Sequence, residues 1–319
     1  MEKKEELRQY DVNQVPRFAN INPFMRATYQ EDPGGLDVAM FGVPFDLGSS
    51  FRIGSRHGPA QIREMSRLIK QVHYPSMQEP FNDFRIADVG DAPVNSLDIP
   101  ESLDRIQGFV ENICNKNVVP LAAGGDHTIT LPILRALAKD APLSLIMIDA
   151  HADTLDLMLG KKYANGTPIR RAIEEGLLDP GRTIQIGLRG TLFSRDDHQW
   201  AREQGITQIN MDDFDRLGIQ GVRQEVEKVV GNSQTYLTFD VDVIDPAFAP
   251  GAGGLEPGGL TVRESQLLLR SFTGIDLVGA DVNEVSPPYD PSGNTALVAC
   301  YLMFEILCLL TGSLAGRRK

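Results

Sequence analysis

The sequence predicts an α/β protein built on a mostly parallel sheet of about eight strands with helices packed on both faces. Three observations predict it. Short apolar, β-branched runs alternate with segments of helical period through most of the 319 residues. No internal repeat, low-complexity tract or long linker interrupts that rhythm. Ionisable side chains of one chemical kind also cluster where apolar runs end, which is where open parallel sheets bind ligands.

In chain order, residues 1–30 read as an N-terminal arm lying over the body or a neighbouring subunit, and residues 31–319 as one domain. Strands are expected at 38–43, 85–89, 118–123, 143–148, 183–188, 208–209, 236–239 and 277–281, each an apolar run. Helices are expected between and after them at 59–70, 102–115, 130–139, 168–175, 195–204, 221–230, 262–270 and 295–310. Pro59 suits a first helical turn, where its missing N–H is not needed. The apolar stretch 296–310 is shorter than the roughly 20 residues that span a bilayer. It also contains Glu305, so it reads as a buried C-terminal helix that contributes to a subunit contact.

Composition narrows the function. Hydrophobic content of 42% with 23% charged residues is ordinary for a globular protein. A net charge of −12 argues against nucleic acid or an anionic membrane as partner. Cys114, Cys300 and Cys308 form no CxxC or metal-finger spacing, and Cys300 and Cys308, in one apolar stretch, read as buried structural thiols. With no apolar core of a signal peptide after Met1, a reducing cytoplasm is the expected location.

The chemistry is concentrated in three places. The run Leu143–Ile148 leads into Asp149-Ala-His-Ala-Asp153, and residues two apart in an extended backbone point the same way. The run at 236–239 leads likewise into Asp240-Val-Asp242, and that at 118–123 into Gly124-Gly-Asp-His127, whose glycines would permit a sharp exit from the strand. Alone, Asp-x-Asp could cap a turn and Gly-Gly-Asp-His could be a loop. Three ionisable groups on one face are hard to bury without a cation. Together His127, Asp149, His151, Asp153, Asp240 and Asp242 describe a site for two divalent cations. Two cations about 3.5–4 Å apart can hold a hydroxide and aim it at an unreactive carbon. Oxygen and imidazole donors favour Mn, Ni, Fe, Co or Zn over Cu(I) or an iron–sulfur cluster.

In this order the motifs, together with Phe239-Asp-Val-Asp-Val-Ile-Asp-Pro246 and Asp281-Val-Asn-Glu-Val-Ser-Pro-Pro288, resemble the arginase/agmatinase (ureohydrolase) family. Gly42-Val-Pro-Phe-Asp46, Arg56-His-Gly-Pro-Ala-Gln-Ile-Arg63, Asp88-Val-Gly-Asp91 and Gly166-Thr-Pro168 extend the likeness over 16–310. Residues 16–26 look most like the bacterial guanidinopropionase and guanidinobutyrase branch. The resemblance implies a three-layer α/β/α sandwich with a pair of Mn²⁺ or Ni²⁺ ions, assembled as trimers or hexamers, with copies of itself or with a homologous subunit. It implies that His127, Asp149, Asp153 and Asp240 bind one metal, and Asp149, His151, Asp240 and Asp242 the other. Asp149 and Asp240 would then bridge. Asp153 would orient the hydroxide and pass its proton to the leaving amine. Glu284 would grip the substrate's guanidinium, whose planar donor fork a carboxylate matches bidentately.

The chain departs from the family at the expected mouth of the site. Asn165 stands where relatives carry a histidine assigned to proton transfer or substrate positioning, and an amide cannot titrate near neutrality. Gly254 and Leu255 stand where relatives usually have Thr and Pro, Ala252 where they commonly have Thr, and Leu155 where they often have Asn. The expectation is a small cationic guanidino substrate with a less polar tail, such as an N-alkylated guanidine or a biguanide like metformin, cleaved to an amine and guanylurea. The alternatives are hydrolysis of 3-guanidinopropionate, 4-guanidinobutyrate or agmatine to urea, and a weakly active assembly subunit of a hetero-oligomer. A single-zinc deacetylase is disfavoured by the complete ligand set and by Glu284. A dinucleotide enzyme is disfavoured because no glycine fingerprint follows the first strand.

Overall fold

Alternate residues of each central strand point to opposite faces, and both faces are apolar, so the sheet needs a helical layer on each side. In the computed structural model, which describes residues 7–318, that requirement produces a three-layer α/β/α sandwich. Residues 1–6 of the expected arm and Lys319 of the expected domain lie outside the described residues. The strands are β1 (Thr28–Tyr29), β2 (Val38–Val43), β3 (Ile86–Asp91), β4 (Val119–Gly124), β5 (Leu143–Ile148), β6 (Leu178–Leu188), β7 (Thr207–Asn210), β8 (Thr235–Asp240) and β9 (Leu277–Asn283). They form a 9-stranded sheet in the order β1-β3-β2-β4-β9-β8-β5-β6-β7, with every neighbouring pair parallel.

The helices are α1 (Gly58–Ser66), α2 (Pro80–Asp83), α3 (Ile99–Cys114), α4 (Thr130–Leu137), α5 (Pro168–Glu174), α6 (Gln199–Gln204), α7 (Met211–Val230), α8 (Val262–Ser271) and α9 (Asn294–Arg317). Val38 and Met40 of β2, Leu121 and Ala123 of β4, and Ile146 and Ile148 of β5 enter one core, under α1, α7, α8 and α9. Ala39, Phe41 and Val43, Ala122, and Leu145 and Met147 enter the other, under α3, α4 and α5. The period of two in these strands thus feeds two cores from one sheet.

Most expected elements lie within a few residues of the observed ones; the departures have local causes. Part of the expected arm joins the sheet, since Thr28 pairs with Ala87 and Tyr29 with Asp88. A two-residue strand has no periodicity to read. Just before it, Phe24 and Met25 are fully buried, and the Arg26 guanidinium donates to the carbonyls of Tyr10, Arg67 and Ile69, tying the arm to its own body. β6 begins at Leu178 rather than 183, through a polar stretch containing Pro180 and Gly181. α7 begins at Met211 rather than 221 and turns at Gly218, whose φ of 62° breaks the helical pattern. α6 is shorter than expected, and α2 was not expected.

The largest departure is α9, which is 24 residues long, so shortness does not exclude a membrane span. Its packing accounts for its composition: 72% of its most apolar window is buried, against β9, α1 and α8. Glu305, the charge inside this helix, is buried and partnered. His73 Nε2 lies 2.8 Å from its Oε2, and Arg270 Nε lies 3.0 Å from each carboxylate oxygen. Burial works against ionisation of Glu305, but His73 and Arg270 outweigh it and hold its pKa below the usual carboxylate value.

Glu305→Ala leaves Arg270 and His73 without this partner and is expected to cost about 3–5 kcal/mol, read as a drop in urea midpoint. Because the folded pKa is depressed, the stabilisation is present above the unfolded value, about 4.3, and is lost as pH falls through the lower folded value. The wild type should therefore lose stability relative to the variant on acidification. A constant difference between them from pH 7 down to pH 3 would contradict the assignment.

Candidate metal centre and active site

β4 and β5 are consecutive in sequence, yet β9 and β8 lie between them in the sheet. The carboxyl ends of β4, β9, β8 and β5 are therefore neighbours, at the switch point where such sheets bind ligands. β4 leads into His127, β5 into Asp149, His151 and Asp153, β8 into Asp240 and Asp242, and β9 into Glu284. The glycines after β4 serve close packing rather than an unusual turn. A Cβ on Gly125 would lie 1.9 Å from the Phe45 carbonyl oxygen, and one on Gly124 2.3 Å from Ile129 Cδ1. Neither glycine has a positive φ.

The aspartates divide their two oxygens between tasks. Asp149 Oδ1 accepts from the His151 N–H at 2.6 Å, Asp240 Oδ1 from Asp242 N–H at 2.8 Å, and Asp242 Oδ1 from Ala150 N–H at 3.2 Å. The capping of turns that such residues often do is thus present, on one oxygen each. The other oxygens, together with Asp149 Oδ1, face the imidazoles. His127 Nδ1 is 3.0 Å from Asp149 Oδ2, 2.9 Å from Asp153 Oδ2 and 3.5 Å from Asp240 Oδ2. His151 Nδ1 is 2.9 Å from Asp242 Oδ2 and 3.5 Å from Asp149 Oδ1. Two compact donor groups result, His127/Asp149/Asp153 and Asp149/His151/Asp242, with Asp149 common to both. Asp240, expected to bridge as well, borders the first group without joining either.

A chain of hydrogen bonds behind His127 sets its tautomer. Thr238 Oγ1 donates to Asp281 Oδ1 at 2.7 Å, so toward His127 Nε2, 2.9 Å away, it acts as acceptor. Asp281 also accepts from Tyr236 OH, Thr130 Oγ1 and Asn283 Nδ2, which hold it in place. With Nε2–H committed to Thr238, His127 Nδ1, which faces carboxylates, is the nitrogen whose lone pair a cation would take in place of a proton. Neither His127 Nδ1 nor Asp149 Oδ2 makes a hydrogen bond, although both are buried. Nitrogen and oxygen lone pairs converging in a dry site require positive charge between them, and a divalent cation fits that donor set.

The titration behaviour reflects the same demand. Burial opposes a charge on His127, but Asp149 and Asp153 outweigh it and hold its pKa well above that of a free imidazole. Burial, then the Asp149 charge, pushes Asp153 up to about 6. Burial, then the charges of Asp242 and Asp149, raises Asp240 well above the usual carboxylate range. Burial and the charge of Asp126 push Glu284 up to about 8. Asp153 and Glu284 also adopt left-handed backbone, φ 51° and 61°, which costs a non-glycine residue about 1–3 kcal/mol. Glu284 is held there by its N–H on the Gly125 carbonyl at 2.8 Å, and Asp153 by its carbonyl on the Ile169 N–H at 3.2 Å.

Above the cluster opens a cavity of about 430 Å³ lined by Asp153, Asp240, Asp242, Glu284, Asn165, Leu155, Gly254 and Leu255, so every candidate substrate residue reaches it. A Cβ on Gly254 would lie 2.9 Å from His151 Cε1, so a larger residue there would crowd that imidazole. Phe51, Met158, Leu192, Phe193, Arg189 and His198 complete the wall and were not anticipated. Arg189 is not free to meet a ligand, because its guanidinium donates to the carbonyls of Asp242 and Glu256 and so clamps the loop bearing Gly254 and Leu255. Thr238 was legible in principle, since Tyr236, Thr238 and Asp240 alternate onto one face of β8.

Known proteins resemble this chain in sequence and fold. A model of the Arginase family matches residues 36–309. The chain is 51% identical over 306 residues to a guanidinopropionase of Pseudomonas aeruginosa, covering 96% of each. It is 42% identical over 304 residues to a guanidinobutyrase of the same organism, covering 94% of this chain and 95% of that one. The solved proclavaminate amidino hydrolase of Streptomyces clavuligerus superimposes with a TM-score of 0.91 at 38% identity, over 94% of this chain and 100% of its own.

Thr238→Val removes the acceptor for His127 Nε2–H and is expected to weaken Mn²⁺ binding about 10–100-fold in calorimetric titration of metal-free protein. Asp149→Ala removes the carboxylate common to both donor groups and should prevent loading of a full cation pair, measured as metal per chain. Wild-type affinity in the first variant and wild-type stoichiometry in the second would together overturn the assignment.

Proposed function

The chain belongs to the arginase family, and from that premise we propose that it hydrolyses a short guanidino acid to urea and an amino acid. Family members are metal-dependent hydrolases of guanidino compounds with a pair of divalent cations, and this chain is an enzyme of that class. The carboxylate and imidazole donors fit Mn, Ni, Fe, Co or Zn, and of these we infer Mn²⁺ or Ni²⁺ from the family resemblance. The observation that carries the reading is Glu284: a buried carboxylate facing the cavity beside the six-residue cluster, with Oε1 held by His127 N–H at 3.0 Å and Asn165 Nδ2 at 3.2 Å. Its Oε2 is left for a cationic, planar partner. Likeness to a guanidinopropionase and a guanidinobutyrase supports a carboxylated tail.

The bound cations supply Lewis acidity and a water acidic enough to ionise near neutral pH. A guanidinium beside Glu284 favours its ionised form, which neutralises that cation and fixes its carbon over the cluster, a proximity effect. Water oxygen adds to that carbon, the bond from the carbon to the substituted nitrogen breaks, and the amine leaves with a proton while urea remains. Asp153, its Oδ2 directed into the cluster, is placed to take the water's proton and return it to the departing nitrogen.

A second reading has its own support. Leu155, Met158, Leu192, Phe193 and Leu255 line the cavity, and Gly254 offers no hydroxyl, which suits an N-alkylated guanidine or a biguanide such as metformin.

Glu284→Gln keeps the shape but loses the charge, and should lower kcat/KM by about 10–100-fold while metal content stays at the wild-type value. An unchanged kcat/KM would remove Glu284 from the substrate site. In a panel of 3-guanidinopropionate, 4-guanidinobutyrate, agmatine and metformin, with urea, guanylurea and amine quantified, the guanidino acids should turn over fastest. Guanylurea from metformin, with the guanidino acids untouched, would replace the first reading by the second.

A further inference from the structure

We propose that Asn165 orients the substrate, joining Glu284 and the guanidinium into one hydrogen-bonded chain: its Nδ2 tethers Glu284, and its Oδ1 accepts an N–H from the substrate. The inference rests on the reading of the site as a guanidino hydrolase. Asn165 is fixed from behind by its backbone N–H, which donates to the Gly48 carbonyl at 3.0 Å, and its side chain lines the cavity. Nδ2 donates to Glu284 Oε1 at 3.2 Å. That neighbour decides which way round the amide lies, because the reversed amide would set its carbonyl against a carboxylate oxygen. Oδ1 is thereby committed to the other side, where it is buried and makes no hydrogen bond.

A buried acceptor without a donor is a cost that a ligand can remove by supplying an N–H. A guanidinium does so without sacrificing its bond to Glu284, since it carries N–H groups on all three nitrogens and a carboxylate engages only one edge of the fork. Glu284 Oε1 already accepts from both His127 N–H and Asn165, so its rotation is fixed and Oε2 is the oxygen left for the ligand. One asparagine therefore presents an acceptor beside the carboxylate it has itself positioned. A neutral imidazole could also donate once and accept once, but it would exchange one of those roles on protonation; an amide keeps both at every pH. Replacing a histidine by asparagine here thus converts a group that can titrate into one whose hydrogen-bonding pattern is constant.

The test uses the full-length, metal-loaded protein titrated calorimetrically with guanidinium ion, alongside steady-state kinetics on 3-guanidinopropionate. Asn165→Ala keeps the backbone bond to Gly48 but loses both side-chain roles. Guanidinium should bind roughly tenfold more weakly, with KM raised to match, kcat within about threefold and metal content unchanged. Asn165→His, whose neutral ring retains a donor and an acceptor, should recover guanidinium binding at pH 8. Wild-type guanidinium affinity in Asn165→Ala, or a loss confined to kcat or to metal content, would overturn the proposal. Failure of the wild type to bind guanidinium or turn over any guanidino compound would instead remove the functional reading beneath it.

Discussion

Four aspartates and two imidazoles are brought together at the ends of β5 and β8 and beyond β4, and the rest of the active region is arranged around the repulsion they would suffer without positive charge. Each of Asp149, Asp240 and Asp242 binds a backbone N–H through one oxygen, which fixes its side chain so that the second oxygen cannot swing away. The site is consequently preorganised for cations: its donors stay in place because backbone hydrogen bonds and burial hold them. The orphaned lone pairs of His127 Nδ1 and Asp149 Oδ2 are where that arrangement is incomplete in the protein alone.

Support for these donors comes from the sheet itself. Asp281 on β9 accepts from Tyr236 and Thr238 on β8, Thr130 at the start of α4 and Asn283 on β9, and this network reaches His127 through a single hydroxyl. Every member is buried, so the network is also rigid. The left-handed backbone of Asp153 and Glu284 shows that some conformational energy is stored at the site, offset by packing elsewhere in the two cores.

The mouth of the cavity follows a different logic. Its walls mix apolar side chains, with Phe193 and Phe51 prominent and exposed, with polar ones such as Arg52, Asp197 and His198, and its loop bearing Gly254 is positioned by Arg189, which donates to the carbonyls of Asp242 and Glu256. The reacting end of the site and its mouth are nevertheless in contact, since Asn165 tethers Glu284 and a side chain at position 254 would crowd His151. Leu155, Asn165, Gly254 and Leu255, the positions where the resemblance implied a departure, all line this cavity.

The sequence by itself determined that strands and helices would alternate, that the strands would be buried on both faces, and that particular aspartates and histidines would stand at strand ends. Local periodicity accounts for the strands but stops where they do: β5 ends at Ile148 and Asp153 takes left-handed backbone, so Asp149, His151 and Asp153 are gathered by a turn rather than by the alternation of an extended chain. Only the tertiary structure decided which strand ends are neighbours, since β4 and β5 meet the site from either side of β9 and β8. It also decided which oxygen of each aspartate faces inward, that Thr238 governs the His127 tautomer, and that α9 is a core helix despite a length that could span a membrane. Such features arise from contacts between residues far apart in the chain, and no pattern within a short window records them. Glu305 shows the difference in one residue: the sequence marks a charge in an apolar helix, but its partners, His73 and Arg270, are 232 and 35 positions away and become partners only when the layers pack.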